Sequence, residues 1–199
     1  MFTDWLRKVF KNIVGPIARF LGRIGLAANS VTILGCLLTV AVSVVIATGR
    51  FRLGGLLLIL TTAFDALDGA LAREQGGSTK FGGFLDSVLD RVTDSAILLG
   101  IAWWYMGQAG RVEEILAYAA IVGSMLVSYT RARAEAMNVE CKVGLFTRVE
   151  RTVVIIAALI LGLVEPALWI LAIGTWLTTI HRMVHVYRQT RGQPVLSGK

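Results

Sequence analysis

Residues 31–48, VTILGCLLTVAVSVVIAT, carry no charged side chain. As a helix this run reaches about 27 Å, close to the hydrocarbon thickness of a bilayer. Lipid offers no hydrogen bonds, so a chain crossing it must satisfy its backbone internally, as a helix does. Further apolar stretches follow at 53–73, 79–106, 112–135, 148–163 and 167–187. Gly76-Gly77-Ser78 separates the second from the third, and Glu165-Pro166 marks a turn before the sixth. Charged residues make up only 17% of the chain, against roughly 25% in soluble domains. The pattern predicts an all-α integral membrane protein of six transmembrane helices, one domain spanning 1–199, with the bundle over 29–188. Asn29 or Ser30 is expected to cap the first span, and Ser78 or Thr79 the third.

Ahead of the bundle, residues 1–25 place Trp5, Leu6, Val9, Phe10, Ile13, Ile17, Leu21 and Ile24 on one helical stripe, with Arg7, Lys8, Lys11, Arg19 and Arg23 off it. A basic amphipathic helix of this kind lies in the membrane interface. Gly15-Pro16 is expected to kink it. Residues 189–199 form a polar tail. Six spans put both termini on one side. That side collects Arg7, Lys8, Lys11, Arg19, Arg23, Arg73, Lys80, Arg131, Arg133, Lys142, Arg148, Arg151, Arg182, Arg188, Arg191 and Lys199, against Arg50, Arg52 and Arg111 opposite. The positive-inside rule then makes the termini cytoplasmic in a multi-pass protein of the cell membrane. Trp103, Trp104 and Tyr105 fall at the outer interface as an aromatic belt. The net charge of +7 suits anionic headgroups, and the basic residues are not gathered as a nucleic-acid-binding module would gather them. Cys36 and Cys141 make no disulfide framework.

Against this apolar background, 64–94 is crowded with carboxylates. Asp65 and Asp68 stand three apart near the cytoplasmic end of the second span, and Asp86 and Asp90 four apart near the start of the third. Those spacings put each pair on one helix face. A short Gly-rich turn makes the two helices antiparallel neighbours, so all four carboxylates converge. Unpaired, they would repel; an all-oxygen set without His or Cys favours Mg²⁺, Mn²⁺ or Ca²⁺. Ionisable groups within a membrane are functional candidates by default. Gly82 lies one turn before Asp86 and leaves room beside the carboxylates; Gly83 is equally a helix-packing position. Arg73 is placed to neutralise the cluster or hold a phosphate. Asp94 continues the run, with Arg91 as a partner three residues away.

Asp65-x2-Asp68-Gly69-x2-Ala72-Arg73-x8-Gly82-x3-Asp86-x3-Asp90 resembles the signature of the CDP-alcohol phosphotransferase family at every fixed position. The resemblance implies a six-helix membrane fold, a cytoplasmic-side site and transfer of a phosphatidyl group from a CDP-linked lipid to an alcohol, with release of CMP. By the same resemblance Asp65, Asp68, Asp86 and Asp90 hold two Mg²⁺ ions (Mn²⁺ being an alternative), and Asp90 is also the general base. Asn29, Ser30, Val31, Thr32, Gly69, Arg73, Thr79 and Gly82 match positions that hold the CDP-lipid. Many relatives have Pro where this chain has Ala28.

The acceptor is read from a second set of charges. Arg131, Arg148, Arg151 and Arg182 stand at three helix ends level with the carboxylates, as a phosphorylated acceptor would require. Arg133 and Arg188 read as interfacial anchors. GGFLDSVLDRVTD, SYTRARAEA and the Arg148-x-Glu150-Arg151 step are most similar to the bacterial phosphatidylinositol-phosphate synthase branch of the family. That implies CDP-diacylglycerol as donor, inositol 1-phosphate as acceptor, phosphatidylinositol phosphate as product, and a homodimer. Ser87 and Arg91 stand where the branch using glycerol 3-phosphate has Pro and Lys, although that acceptor remains the enzymatic alternative. From another class, a divalent-cation transporter would also carry intramembrane carboxylates, but no inverted repeat is visible.

Overall fold

The computed structural model describes residues 15–77, 79–108 and 111–192; all described residues are helical or in turns and loops, with no strand. A short helix over 15–23 (α1) precedes α2 (Ala28–Ala47), α3 (Phe51–Glu74), α4 (Lys80–Met106), α5 (Arg111–Ala136), α6 (Arg148–Leu161) and α7 (Val164–Thr190). The amphipathic reading of 1–25 lies outside the described residues up to position 14, as does the polar tail from 193.

Helices α2, α3, α5 and α7 are long and apolar enough to cross a bilayer. The 27 residues of α4 are length enough, but Asp86, Asp90, Arg91 and Asp94 interrupt its apolar character. Helix α6 has only 14 residues. Leu37, Leu60, Ile115, Leu177 and many similar side chains face outward, a surface suited to acyl chains rather than water. Inside, α2 packs on α3 and α4, α4 on α5, α5 on α7, and α3 on α6. The core is built from Ile46, Leu58, Leu98, Leu159, Leu168 and their neighbours. Small residues bring the backbones together: a Cβ on Gly100 would run into the Ser43 carbonyl of α2.

Several boundaries correct the sequence reading. The cap of α2 is Ala27, without a side-chain bond, so Asn29 and Ser30 fall inside the first turn. Thr79 does cap α4, accepting from the Gly82 N–H at 2.9 Å; Ser78 lies outside the described residues. The turn before the last helix is at Gly162, whose φ of 75° closes α6 in the left-handed region. Pro166 therefore sits in the first turn of α7, where its missing N–H costs no intrahelical bond.

Candidate active site

The halves of α3 and α4 that meet at the Gly76-Gly77 turn, together with the start of α2, enclose a cavity of about 540 Å³. Asp65, Asp68, Gly69 and Arg73 reach it from α3, Gly82, Gly83 and Asp86 from α4, and Asn29 and Thr32 from α2; Thr79 lines it just ahead of α4. Asn29 and Thr32 share a helix face because they are three apart. Ser30 and Val31 do not line the cavity. Ser30 is exposed, and Val31 is buried against Ala18 and Leu71. Gly82 leaves little room for a side chain: a Cβ there would stand 3.0 Å from Asn29 Oδ1 and 3.1 Å from Thr79 Oγ1, so both side chains would have to give by a few tenths of an ångström. A Cβ on Gly83 would meet nothing within 4 Å, so helix packing is not what keeps that position small.

Asp90 is absent from the cavity wall and joins it through Arg148 at the first position of α6. One guanidinium nitrogen, Nη2, lies 2.7 Å from Asp65 Oδ2 and 2.9 Å from Asp90 Oδ1. Among the described residues no three His, Cys, Asp or Glu side chains are arranged as a metal-holding group. The donor set nevertheless fits a hard divalent ion. Asp68 is 7% exposed, and its Oδ2 is buried without a hydrogen-bond partner; buried polar atoms in native proteins rarely stay so.

Comparison with known proteins gives the family. The family model for CDP-alcohol phosphatidyltransferase matches residues 25–181. The chain belongs to the CDP-alcohol phosphatidyltransferase family. It is 36% identical to a phosphatidylinositol phosphate synthase of Mycobacteroides abscessus over 195 residues, covering 94% of this chain and 88% of that one. It is 38% identical to an archaetidylinositol phosphate synthase of Methanothermobacter thermautotrophicus over 191 residues, covering 93% and 94%. The Mycobacterium tuberculosis phosphatidylinositol phosphate synthase with CDP-DAG bound superposes with a TM-score of 0.83 at 32% identity, covering 88% of this chain and 94% of that one. The same enzyme with manganese and citrate gives 0.87 at 32% identity, over 94% and 95%. This CDP-alcohol phosphotransferase is thus an enzyme of phospholipid synthesis, and the transporter alternative falls away.

Of the four arginines read as acceptor ligands in this family member, only Arg148 lines the cavity. Arg131 pairs with Glu135 at 2.8 Å on the surface. Arg151 is 4% exposed; its Nη2 lies 2.6 Å from Asp94 Oδ2, and its Nη1 donates to the Phe146 carbonyl at 3.2 Å. Arg182 is 2% exposed and donates to the carbonyls of Val143 and Val127. Both fasten the 137–147 loop to the helices. Asp94 is therefore the partner of Arg151 across helices rather than of Arg91, which instead donates to the Ser87 carbonyl and lies 3.9 Å from Asp90.

Sequence reading missed Gln75. Its side chain donates to the Leu26 carbonyl at 2.7 Å and accepts from the Ala28 N–H at 3.3 Å. This clasp ties the start of α2, with Asn29 and Thr32, to the end of α3, and Gln75 itself lines the cavity. Its partners lie 49 and 47 residues away, so no local pattern announces it.

Proposed function

We propose that the protein moves the phosphatidyl group of CDP-diacylglycerol to inositol 1-phosphate, giving phosphatidylinositol phosphate and CMP. The observation that carries this reading is the shared cavity: Asn29, Thr32, Gly69, Arg73, Thr79 and Gly82 line it beside Asp65, Asp68 and Asp86. The names of the M. abscessus and M. thermautotrophicus relatives support inositol phosphate over glycerol 3-phosphate. The CDP-lipid complex of the M. tuberculosis enzyme supports the donor. The six helices α2–α7 form the membrane bundle, the 14 residues of α6 reaching only about 21 Å into it, with the cavity and both termini cytoplasmic. The protein works as a homodimer.

In this reading Asp65, Asp68, Asp86 and Asp90 hold two divalent ions, Mg²⁺ or Mn²⁺. Such ions neutralise the diphosphate and stabilise the attacking and leaving oxygens. The chain does the rest. Asn29, Thr32 and Thr79 offer polar groups to the nucleotide, and the small Gly69 and Gly82 let it approach the backbone. The Arg73 guanidinium, which would stand 3.7 Å from a Cβ on Gly69, faces the diphosphate. Asp90 takes the proton of the attacking inositol hydroxyl. The new bond joins that oxygen to the lipid phosphorus, and the bond to CMP breaks. Arg148 holds the acceptor's phosphate.

Purified enzyme supplied with CDP-diacylglycerol and either acceptor is expected to make product and CMP with inositol 1-phosphate and little with glycerol 3-phosphate. Turnover confined to glycerol 3-phosphate would end the inositol assignment. Gln75→Ala is expected to raise KM for CDP-diacylglycerol several-fold with a smaller change in kcat and none in the acceptor KM. An unchanged donor KM would show that the clasp does not shape the nucleotide wall.

A further inference from the structure

Arg148 stands between two sets of partners. Its Nη2 bridges Asp65 of α3 and Asp90 of α4, and its Nε, 3.8 Å from Asp94, is buried without a hydrogen bond. It also lines the cavity. Of the other arginines read as acceptor ligands on α6 and α7, Arg151 is held by Asp94 and Phe146 and Arg182 by Val127 and Val143. The same bonds hold the Val143 and Phe146 carbonyls just ahead of α6.

We propose that Arg148 is a charge switch: it occupies Asp65 and Asp90 until an acceptor phosphate draws it off, and so couples acceptor binding to divalent-ion binding. The inference rests on the reading that Asp65 and Asp90 are metal ligands and that the acceptor carries a phosphate. A guanidinium on these oxygens competes with any cation that needs them. A phosphate dianion puts the charge of both carboxylates on one group and offers the guanidinium fork a bidentate partner, where Asp65 and Asp90 share a single nitrogen. Once Arg148 turns to it, both carboxylates are released. Because linkage is reciprocal, the phosphate must tighten ion binding by the factor by which the ion tightens phosphate binding.

The test is Mn²⁺ binding to the purified full-length protein without CDP-lipid, followed by the EPR signal of free Mn²⁺ and corrected for chelation in protein-free controls. The wild type is expected to bind Mn²⁺ about tenfold tighter with saturating inositol 1-phosphate. Arg148→Gln should bind Mn²⁺ tightly from the outset and ignore the phosphate. Arg148→Lys keeps the charge and should match the wild type without phosphate, which separates competition from misfolding. If Arg148→Gln binds Mn²⁺ no tighter than the wild type, or if no phosphate ester changes wild-type affinity, the switch is overturned. If glycerol 3-phosphate tightens Mn²⁺ binding and inositol 1-phosphate does not, the acceptor assignment fails and the switch stands.

Discussion

Asp90→Asn is expected to lower kcat by about a thousandfold, the scale of a lost general base, while leaving CDP-lipid binding nearly intact. The asparagine keeps the shape and the hydrogen bond to Arg148 but cannot take a proton. Asp90 is not part of the cavity wall, whereas Asp65, Asp68 and Asp86, the other ligands of the proposal, are. Single-turnover rates and calorimetric binding of a short-chain CDP-lipid would separate the two effects. Turnover near that of the wild type would move the base elsewhere, with Asp86 the next candidate. Equal loss of binding and rate would mean that Asp90 is chiefly a ligand.

The second large effect concerns Arg151, and here the structure replaces the sequence expectation. An arginine on the acceptor's phosphate would raise the acceptor KM when removed. The observed arginine is 4% exposed and bonded to Asp94 and to the Phe146 carbonyl. Arg151→Ala would leave the half-buried Asp94 carboxylate without its hydrogen-bonded partner; the Arg148 Nε, 3.8 Å away, keeps only a longer ion pair. Losing one partner of a buried pair costs about 3 kcal/mol or more, whereas replacing both by apolar groups is often near neutral. Arg151→Ala should thus lower the thermal midpoint in detergent by several degrees. Arg151→Met with Asp94→Leu should recover most of that loss. A midpoint unmoved by Arg151→Ala would show that the pair contributes nothing, and a selective rise in acceptor KM without destabilisation would restore the phosphate role.

These two residues illustrate what was legible. Asp90 stands out in the sequence because its spacing from Asp86 is a helical period, and a carboxylate in an apolar chain has few bland explanations. Arg151 was misplaced because arginine near a cytoplasmic interface has several: anchor, phosphate ligand or structural strut. The sequence pattern is the same for all three, and burial against Asp94 separates them. Ser30 and Val31 were carried along with Asn29 and Thr32 as a stretch, whereas a helix turns about 100° per residue and presents only the outer two to the cavity. The charges of the site also obscure the fold. Asp86, Asp90 and Asp94 lower the apolar character of α4, so the helix most important to the chemistry carries one of the weakest membrane signatures.

The sequence by itself determined the helical fold and the acidic face, since both rest on periods within single helices: long apolar runs, and carboxylates spaced three and four residues apart. The tertiary structure decided which groups meet across helices. It set Arg148 between Asp65 and Asp90, gave Arg151 to Asp94, and tied α2 to α3 through Gln75. Those contacts join residues tens of positions apart, and only the packing of one helix against another fixes their distances.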